Sequence, residues 1–534
     1  MISHTIFPTL WIREKDFMLV GYVSDEDYVA LCGVDFEFKN ENCAVSAQSY
    51  VTGAIYAEIE PGHYSVSLGK PGYGSKRVEI EATQKRPHQF RLLSDRMCGF
   101  MWPKWVRSGK TSEYCVHSVE QFKLELWRYG WDKEFIRSFG WCDEHGPRAM
   151  MQITPDGDYT QSGVIWNREG YTLQYQKHAI NAPERSGLYF MHAKTRSGKF
   201  SAFPWIVSPR EPKCDIAVLS SNISWNAYNK FGGRSNYFNQ NALPSRPVVN
   251  ARQDISRYTN PDCWPYEETA APLSFQRPEP ACEIDEKTQI TDLIPGRMGS
   301  CFAPGEWRLL GWLEREGFEY DLYSEVELNF DRIPLEQYRL VVLNNHHEYW
   351  SKEMYFRVKS WVQNQGGKLM NLGGCGMYAE VEFLNEDTTL CRREGTWDKR
   401  GESAAKLLGV EYSHSGFQSG APYCVIDAEH WAFTGTGLKK NDRFGYQSLH
   451  ERCPGGASAH ELDKISSDGP ENLVHLAKGD NPDDSGADLI IYELSNGGAV
   501  FSVGSLCWTL SLVIDDQISL ITSNVMRKML DKGC

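Results

Sequence analysis

Three short stretches concentrate side chains able to do chemistry. Asn344-Asn345-His346-His347-Glu348-Tyr349-Trp350 sets two imidazoles beside a carboxylate, Trp225-Asn226-Ala227-Tyr228-Asn229 offers a phenol among amides, and Gly373-Gly374-Cys375-Gly376 presents a thiol between glycines. A carboxylate, a histidine and one or more phenolates can hold a hard or borderline cation that activates water. The glycine-flanked Cys375 resembles instead the nucleophile turn of glutamine-amidotransferase-like hydrolases, with His346 or His347 as base and Glu348 as its orienter. These residues alone leave the two chemistries close to even. Each also has an ordinary reading: Tyr228 as a packing residue with a bonded hydroxyl, His-His-Glu as a capping cluster, Cys375 as a small residue at a close approach, Glu493 as a solvent-facing strand residue.

The elements that must position them can be read from periodicity. Asp215 to Ser220, Phe318 to Tyr323, Tyr338 to Leu343 and Lys368 to Leu372 are apolar runs of buried-strand length. Between them, Leu309, Leu310 and Leu313 have helical spacing before Gly317. So do Met354, Val358, Trp361 and Val362, which follow Ser351 as N-cap and precede Gly366-Gly367. Strands alternating with helices predict a largely parallel sheet, and ligands in such sheets bind beyond the carboxyl ends of the strands. All three reactive stretches follow predicted strands. Asp488 to Glu493 and Ala499 to Val503, joined across Asn496-Gly497-Gly498, predict a hairpin.

Upstream of residue 210 the pattern changes to short alternating segments such as Tyr64 to Leu68, Val78 to Ala82, Gln121 to Trp127 and Tyr171 to Tyr175, which predict all-β modules. The expected organisation is a β-sandwich at 1–97, an Ig-like β-sandwich at 98–212 and an α/β, glutamine-amidotransferase-like catalytic domain at 213–534. Seventy acidic against 56 basic side chains give a net charge of -14, which argues against nucleic acid or an anionic membrane as main partner. No secretory signal is legible at the start, and 15 cysteines without close C-x-x-C pairs fit reduced thiols. A soluble, cytoplasmic protein is therefore expected.

At its loops the sequence resembles the large subunit of N,N-dimethylformamidase and its family. The resemblance is carried by Ala227-Tyr228-Asn229 with Phe231-Gly232-Gly233-Arg234-Ser235, Ser274-Phe275-Gln276-Arg277-Pro278, His346-His347-Glu348-Tyr349-Trp350-Ser351, the glycine turn at 373–376, Arg393-Glu394-Gly395 and Asn496 to Ser505. It implies an amidohydrolase of a small amide or formamide in which mononuclear Fe(III) is held by two tyrosinates and a glutamate. Carried over, Tyr228 is the first tyrosine, Tyr266 the second with Tyr258 in reserve, Glu348 the carboxylate, His346 the pocket histidine and Glu493 the further acid. The chain departs from the family at Cys375, where an asparagine is expected, and at Glu279, where a tyrosine is, which points to a substrate other than dimethylformamide. A homo-oligomer with a small subunit is the expected assembly. Alternatives are a thiol amidohydrolase using Cys375, a non-catalytic binder built on the β modules, and a structural scaffold.

Overall fold

The computed structural model describes residues 17–142, 152–166, 179–249, 270–296, 298–392 and 402–531. The predicted strand at 171–175 and the residues Tyr258, Tyr266 and Arg393-Glu394-Gly395 lie outside them. The chain divides into two compact units, the smaller drawn from Met1–Asp95, Met150–Gly157 and Pro244–Gln253, the larger from the remainder.

The smaller unit is a β-sandwich. One sheet pairs Met18–Ser24 with Ala54–Ala57 and His88–Arg91, and the other joins Asp35–Lys39, Ala44–Gln48, Gly62–Lys70 and Gly74–Ala82. Alternation sends Phe36, Phe38, Tyr64, Val66 and Leu68 inward to one shared core.

The larger unit begins with a second sandwich. Cys98–Trp102, Thr111–His117 and Ala179–Asn181 face a five-stranded sheet that includes Phe122–Tyr129, Gly187–Thr195 and Phe200–Ser208. The last two strands are buried on both faces. Tyr189, Met191 and Phe203 pack inside the sandwich, whereas Leu188, Phe190, Ala202 and Ile206 point the other way into the core of the region that follows. That shared hydrophobic layer explains why residue 212 marks no boundary between compact units.

The following region is organised by a nine-stranded mixed sheet. In chain order its strands are β1 (Ile216–Ser220), β2 (Asp321–Ser324), β3 (Leu340–Asn344), β4 (Lys368–Asn371), β5 (Tyr423–Val425), β6 (Arg443–Phe444), β7 (Val474–Gly479), β8 (Asp488–Glu493) and β9 (Ala499–Ser502). They lie in the order β2-β1-β3-β4-β9-β8-β7-β5-β6. Parallel pairings join the first five, and β8 then turns antiparallel against β9 through the predicted hairpin.

Four helices matter for the site: α1 (Asn222–Tyr228), α2 (Ala303–Arg315), α3 (Lys352–Gln365) and α4 (Asp516–Leu530). Ser351 caps α3 by accepting from the Met354 N–H, and Gly366 ends the helix at φ 75°. Met354, Val358, Trp361 and Val362 form its buried stripe, each such side chain contributing about 1.5–3 kcal/mol on burial.

Candidate metal centre

The parallel strands end on one edge, and the reactive side chains lie just past their tips. Tyr228 is the last residue of α1, the short helix that leaves β1. Two buried carboxylates fix that junction. Glu306 of α2 accepts from Ser220 Oγ at 2.6 Å, Ser221 N at 2.7 Å and Trp225 Nε1 at 2.9 Å, and Glu325 accepts from Ile223 N at 2.8 Å. Glu325 also holds His347 Nδ1 at 2.7 Å, while His347 Nε2 meets the Leu219 carbonyl at 3.1 Å. His347 is thus occupied in bracing two strand tips, and its neighbours on either side enter the site.

Beyond β3 the chain passes through Asn345 in the left-handed region, φ 81°, and delivers His346 and Glu348. Beyond β4 comes the glycine turn. A Cβ on Gly373 would lie 1.6 Å from the Asn345 carbonyl oxygen, and one on Gly374 would lie 2.4 Å from that of Glu461. The glycines are there because three backbones meet at this point, a requirement a nucleophile turn does not explain. The third backbone brings Glu461, beside the tip of β9, where Leu506 N donates to the Glu461 carbonyl.

The side chains converge on Glu348. The Tyr228 hydroxyl donates to Glu348 Oε2 at 2.5 Å, and the Tyr237 hydroxyl donates to Oε1. The two phenol rings stack, centroids 4.2 Å apart. His346 Nε2 lies 2.8 Å from Glu461 Oε2 and 3.4 Å from Glu348 Oε2. His346, Glu348, Cys375 and Glu461 are all buried, and each offers a ligand atom within 4.8 Å of the others.

Electrostatics follow from this burial. Desolvation, then the Glu348 charge, raises both Tyr228 and Tyr237 well above the ordinary phenol value. Burial likewise lifts Glu348 above the usual carboxylate range. For His346 burial works against the charged form, yet Cys301 and Glu461 beside it outweigh that effect and raise its pKa well above that of free imidazole. The two phenol protons are both donated to the Glu348 carboxylate, one to each of its oxygens. Their loss would leave two phenolates and a carboxylate, a hard all-oxygen set matched to a small, highly charged cation.

A second buried group, His450, Cys453 and His460, also has its ligand atoms within 4.8 Å of one another. Its polarity is wrong for a metal. His450 Nδ1 accepts from the N–H groups of Arg452 at 3.0 Å and Cys453 at 3.1 Å, which leaves the proton of a neutral ring on Nε2.

Of the residues expected from sequence, the structure brings Tyr228, His346 and Glu348 together. Glu493 is elsewhere. It pairs with Ala499, which is level with Lys368 at the start of β4, so it is exposed at the amino edge of the parallel strands, opposite the site. The acid that joins His346 is Glu461. Tyr266 lies outside the described residues, and the second phenol seated on Glu348 is Tyr237.

Residues 124–519 match the family described as N,N-dimethylformamidase beta subunit-like, C-terminal. The chain belongs to that family. It is 26% identical to an N,N-dimethylformamidase beta subunit of Paracoccus aminophilus over 594 residues, covering 91% of this chain and 74% of that one. Against a protein of the same name from an Alcaligenes species it is 26% identical over 285 residues, 42% of this chain and 37% of the relative. Among solved structures, a DUF3823 family protein from Bacteroides ovatus aligns at 9% identity over 35% of this chain and 98% of its own, with a TM-score of 0.13, too low for any comparison of fold.

Proposed function

We propose that this member of the N,N-dimethylformamidase beta subunit-like family is a metal-dependent amidohydrolase. Its reaction would be hydrolysis of the C–N bond of a small amide or formamide. The observation that carries the reading is the pair of stacked phenols on one buried carboxylate, with an imidazole–carboxylate pair beside it. Tyr228, Glu348 and a second phenolate would hold mononuclear Fe(III). Geometry supplies Tyr237 for that second place and the resemblance supplies Tyr266. We read the surrounding helices and parallel strands as the α/β, amidotransferase-like catalytic domain.

Bound there, ferric iron would supply Lewis acidity toward an amide carbonyl. The protein's own groups do the rest. His346 Nε2, set between Glu461 and Glu348, would donate the proton that a departing amine requires. Glu461 keeps that imidazole charged and oriented.

The thiol reading is weaker on two counts. Burial, then Glu348 and Glu461, raises Cys375 well above the ordinary thiol range, so the nucleophilic thiolate is disfavoured. The backbone N–H groups of Cys375 and Gly376, which would have to stabilise an oxyanion, point instead at the Asp463 carboxylate, at 2.7 and 3.4 Å.

Because both relatives are named beta subunits, we propose that the chain assembles with copies of itself and with a second, smaller subunit. A reducing, cytoplasmic setting is proposed from the thirteen free thiols among the described residues. Among those residues no helix is long and apolar enough to cross a membrane. Elemental analysis of the purified chain with its visible spectrum tests the centre: stoichiometric iron with a tyrosinate-to-iron band supports it, and a colourless, metal-free protein with no amidase activity sinks it.

A further inference from the structure

The segment from Asn229 to Gln240 carries Tyr237 and follows Tyr228, yet forms no helix and no strand of its own beyond one isolated bridge. Tyr228 ends α1, but regular backbone bonding does not fix Tyr237, or the chain that links the two phenols, to the precision a metal demands. Something else must do it.

Two buried guanidinium groups occupy that role. Arg277 is fully buried. Its Nη2 donates to Asn226 O at 3.1 Å and Asn226 Oδ1 at 2.9 Å, and its Nη1 donates to the carbonyls of Asn229 at 3.2 Å, Phe231 at 2.7 Å and Arg234 at 3.3 Å. Nε donates to Ser274 O at 2.9 Å. One planar fork therefore grips the chain on both sides of Tyr228 and onward toward Tyr237. Arg234, also fully buried, continues the grip: Nε pairs with Asp158 Oδ2 at 3.0 Å, Nη1 with Gln240 O at 2.9 Å and Ala271 O at 3.2 Å, and Nη2 with Pro272 O. It ties Gln240, after Tyr237, to Ala271 and Pro272.

Burying a charge among neutral carbonyls is costly. Desolvation lowers the pKa of Arg277 to about 9, so packing alone would be better served by an apolar side chain. A lysine could keep the charge but has no fork with which to span carbonyls on five residues. We propose that Arg277 is a positioning residue for the phenolate side of the metal centre, with Arg234 as the second half of the clamp. The inference rests on the metal reading above and deepens it.

The test uses the full-length protein loaded with ferric iron. Iron affinity by chelator competition and the position and intensity of the tyrosinate-to-iron band are compared among wild type, Arg277→Lys and Arg234→Lys, with circular dichroism as the check on folding. Arg308→Lys is the control, because Arg308 is as deeply buried and bonds the carbonyls of Pro304 and Asp292, neither of which belongs to the tyrosine segment. Expected is a loss of iron affinity of about tenfold or more and a displaced band in both clamp variants, with the control's band unmoved. Should Arg277→Lys not fold, Asn226→Ser takes its place, because it removes the clamp's side-chain acceptor and should still shift the band. A folded Arg277→Lys, or failing that Asn226→Ser, with wild-type affinity and an unmoved band overturns this inference alone. A wild type that takes up no iron overturns the metal reading and this inference with it.

Discussion

The Tyr228 hydroxyl reaches Glu348 Oε2 at 2.5 Å although 120 positions of chain separate the two residues. They meet because β1 and β3 are hydrogen-bonded neighbours in parallel register, Ser220 level with Asn344, so that whatever follows each strand emerges on the same edge. Tyr228→Phe should lower iron affinity by about tenfold or more and weaken the visible band. Tyr237→Phe and Tyr266→Phe then compete for the second ligand, and whichever of them removes most of the remaining intensity identifies it.

Glu461 is predicted to act through His346 and not as a ligand. Glu461→Gln should leave iron content and band position unchanged while kcat falls by about 10²–10⁴-fold, the usual worth of a positioned proton donor. Loss of iron from that variant would instead make Glu461 part of the metal shell.

The close approach at the glycine turn gives a third expectation. In Gly373→Ala the new methyl would sit 1.6 Å from the Asn345 oxygen, forcing apart the two loops that carry Cys375 and His346. A stability loss of about 3 kcal/mol or more, read as a lower thermal midpoint, should accompany loss of iron. A variant as stable and iron-replete as wild type would contradict the close approach as the reason glycine stands there.

Much of this architecture is legible in the sequence, and what is not has physical reasons. β1, β3, β4 and α3 announce themselves through apolar runs, a Ser351 cap and a Gly366 stop, because burial and capping act on contiguous residues. Tyr237 is carried on a segment without periodicity, shaped by guanidinium–carbonyl bonds that no local pattern encodes. Glu493 is an acid at the end of a strand, but β8 runs antiparallel to its neighbour β9, which puts that final residue at the wrong edge. Glu461 reaches the site from between two short strands, Ser458–Ala459 and Leu462–Ile465, outside the nine-stranded sheet.

Acid sensitivity should come partly from the second sandwich. His192 is buried, its Nε2 2.8 Å from the Tyr129 hydroxyl and its ring stacked on Trp127, and burial lowers its pKa from 6.5 to about 4. The unfolded chain binds the proton more readily, so the stability contribution is whole above pH 6.5 and is lost as pH falls toward 4. The shift corresponds to about 3 kcal/mol. Comparing thermal midpoints of wild type and His192→Phe across that range isolates the effect: the wild type should lose the advantage that the variant, having no imidazole, keeps. Parallel curves would refute it.

The thiol of Cys375 lies within the cluster of His346, Glu348 and Glu461. If it lines the pocket without attacking, Cys375→Ala should retain iron and turnover within about tenfold, since only a small contact on the substrate is lost. Cys375→Asn should then change the ranking of small amides, because a carboxamide adds a hydrogen-bond donor and acceptor where a buried thiol offers little of either. Abolished turnover in Cys375→Ala, with iron intact, would return the thiol to the centre of the mechanism. It would also require the Asp463 carboxylate to release the Cys375 and Gly376 N–H groups during catalysis, a rearrangement that mutation of Asp463 would expose. Asp463→Asn leaves those N–H groups an acceptor of weaker hold, so it should accelerate a thiol mechanism and leave a metal-centred one nearly unaltered.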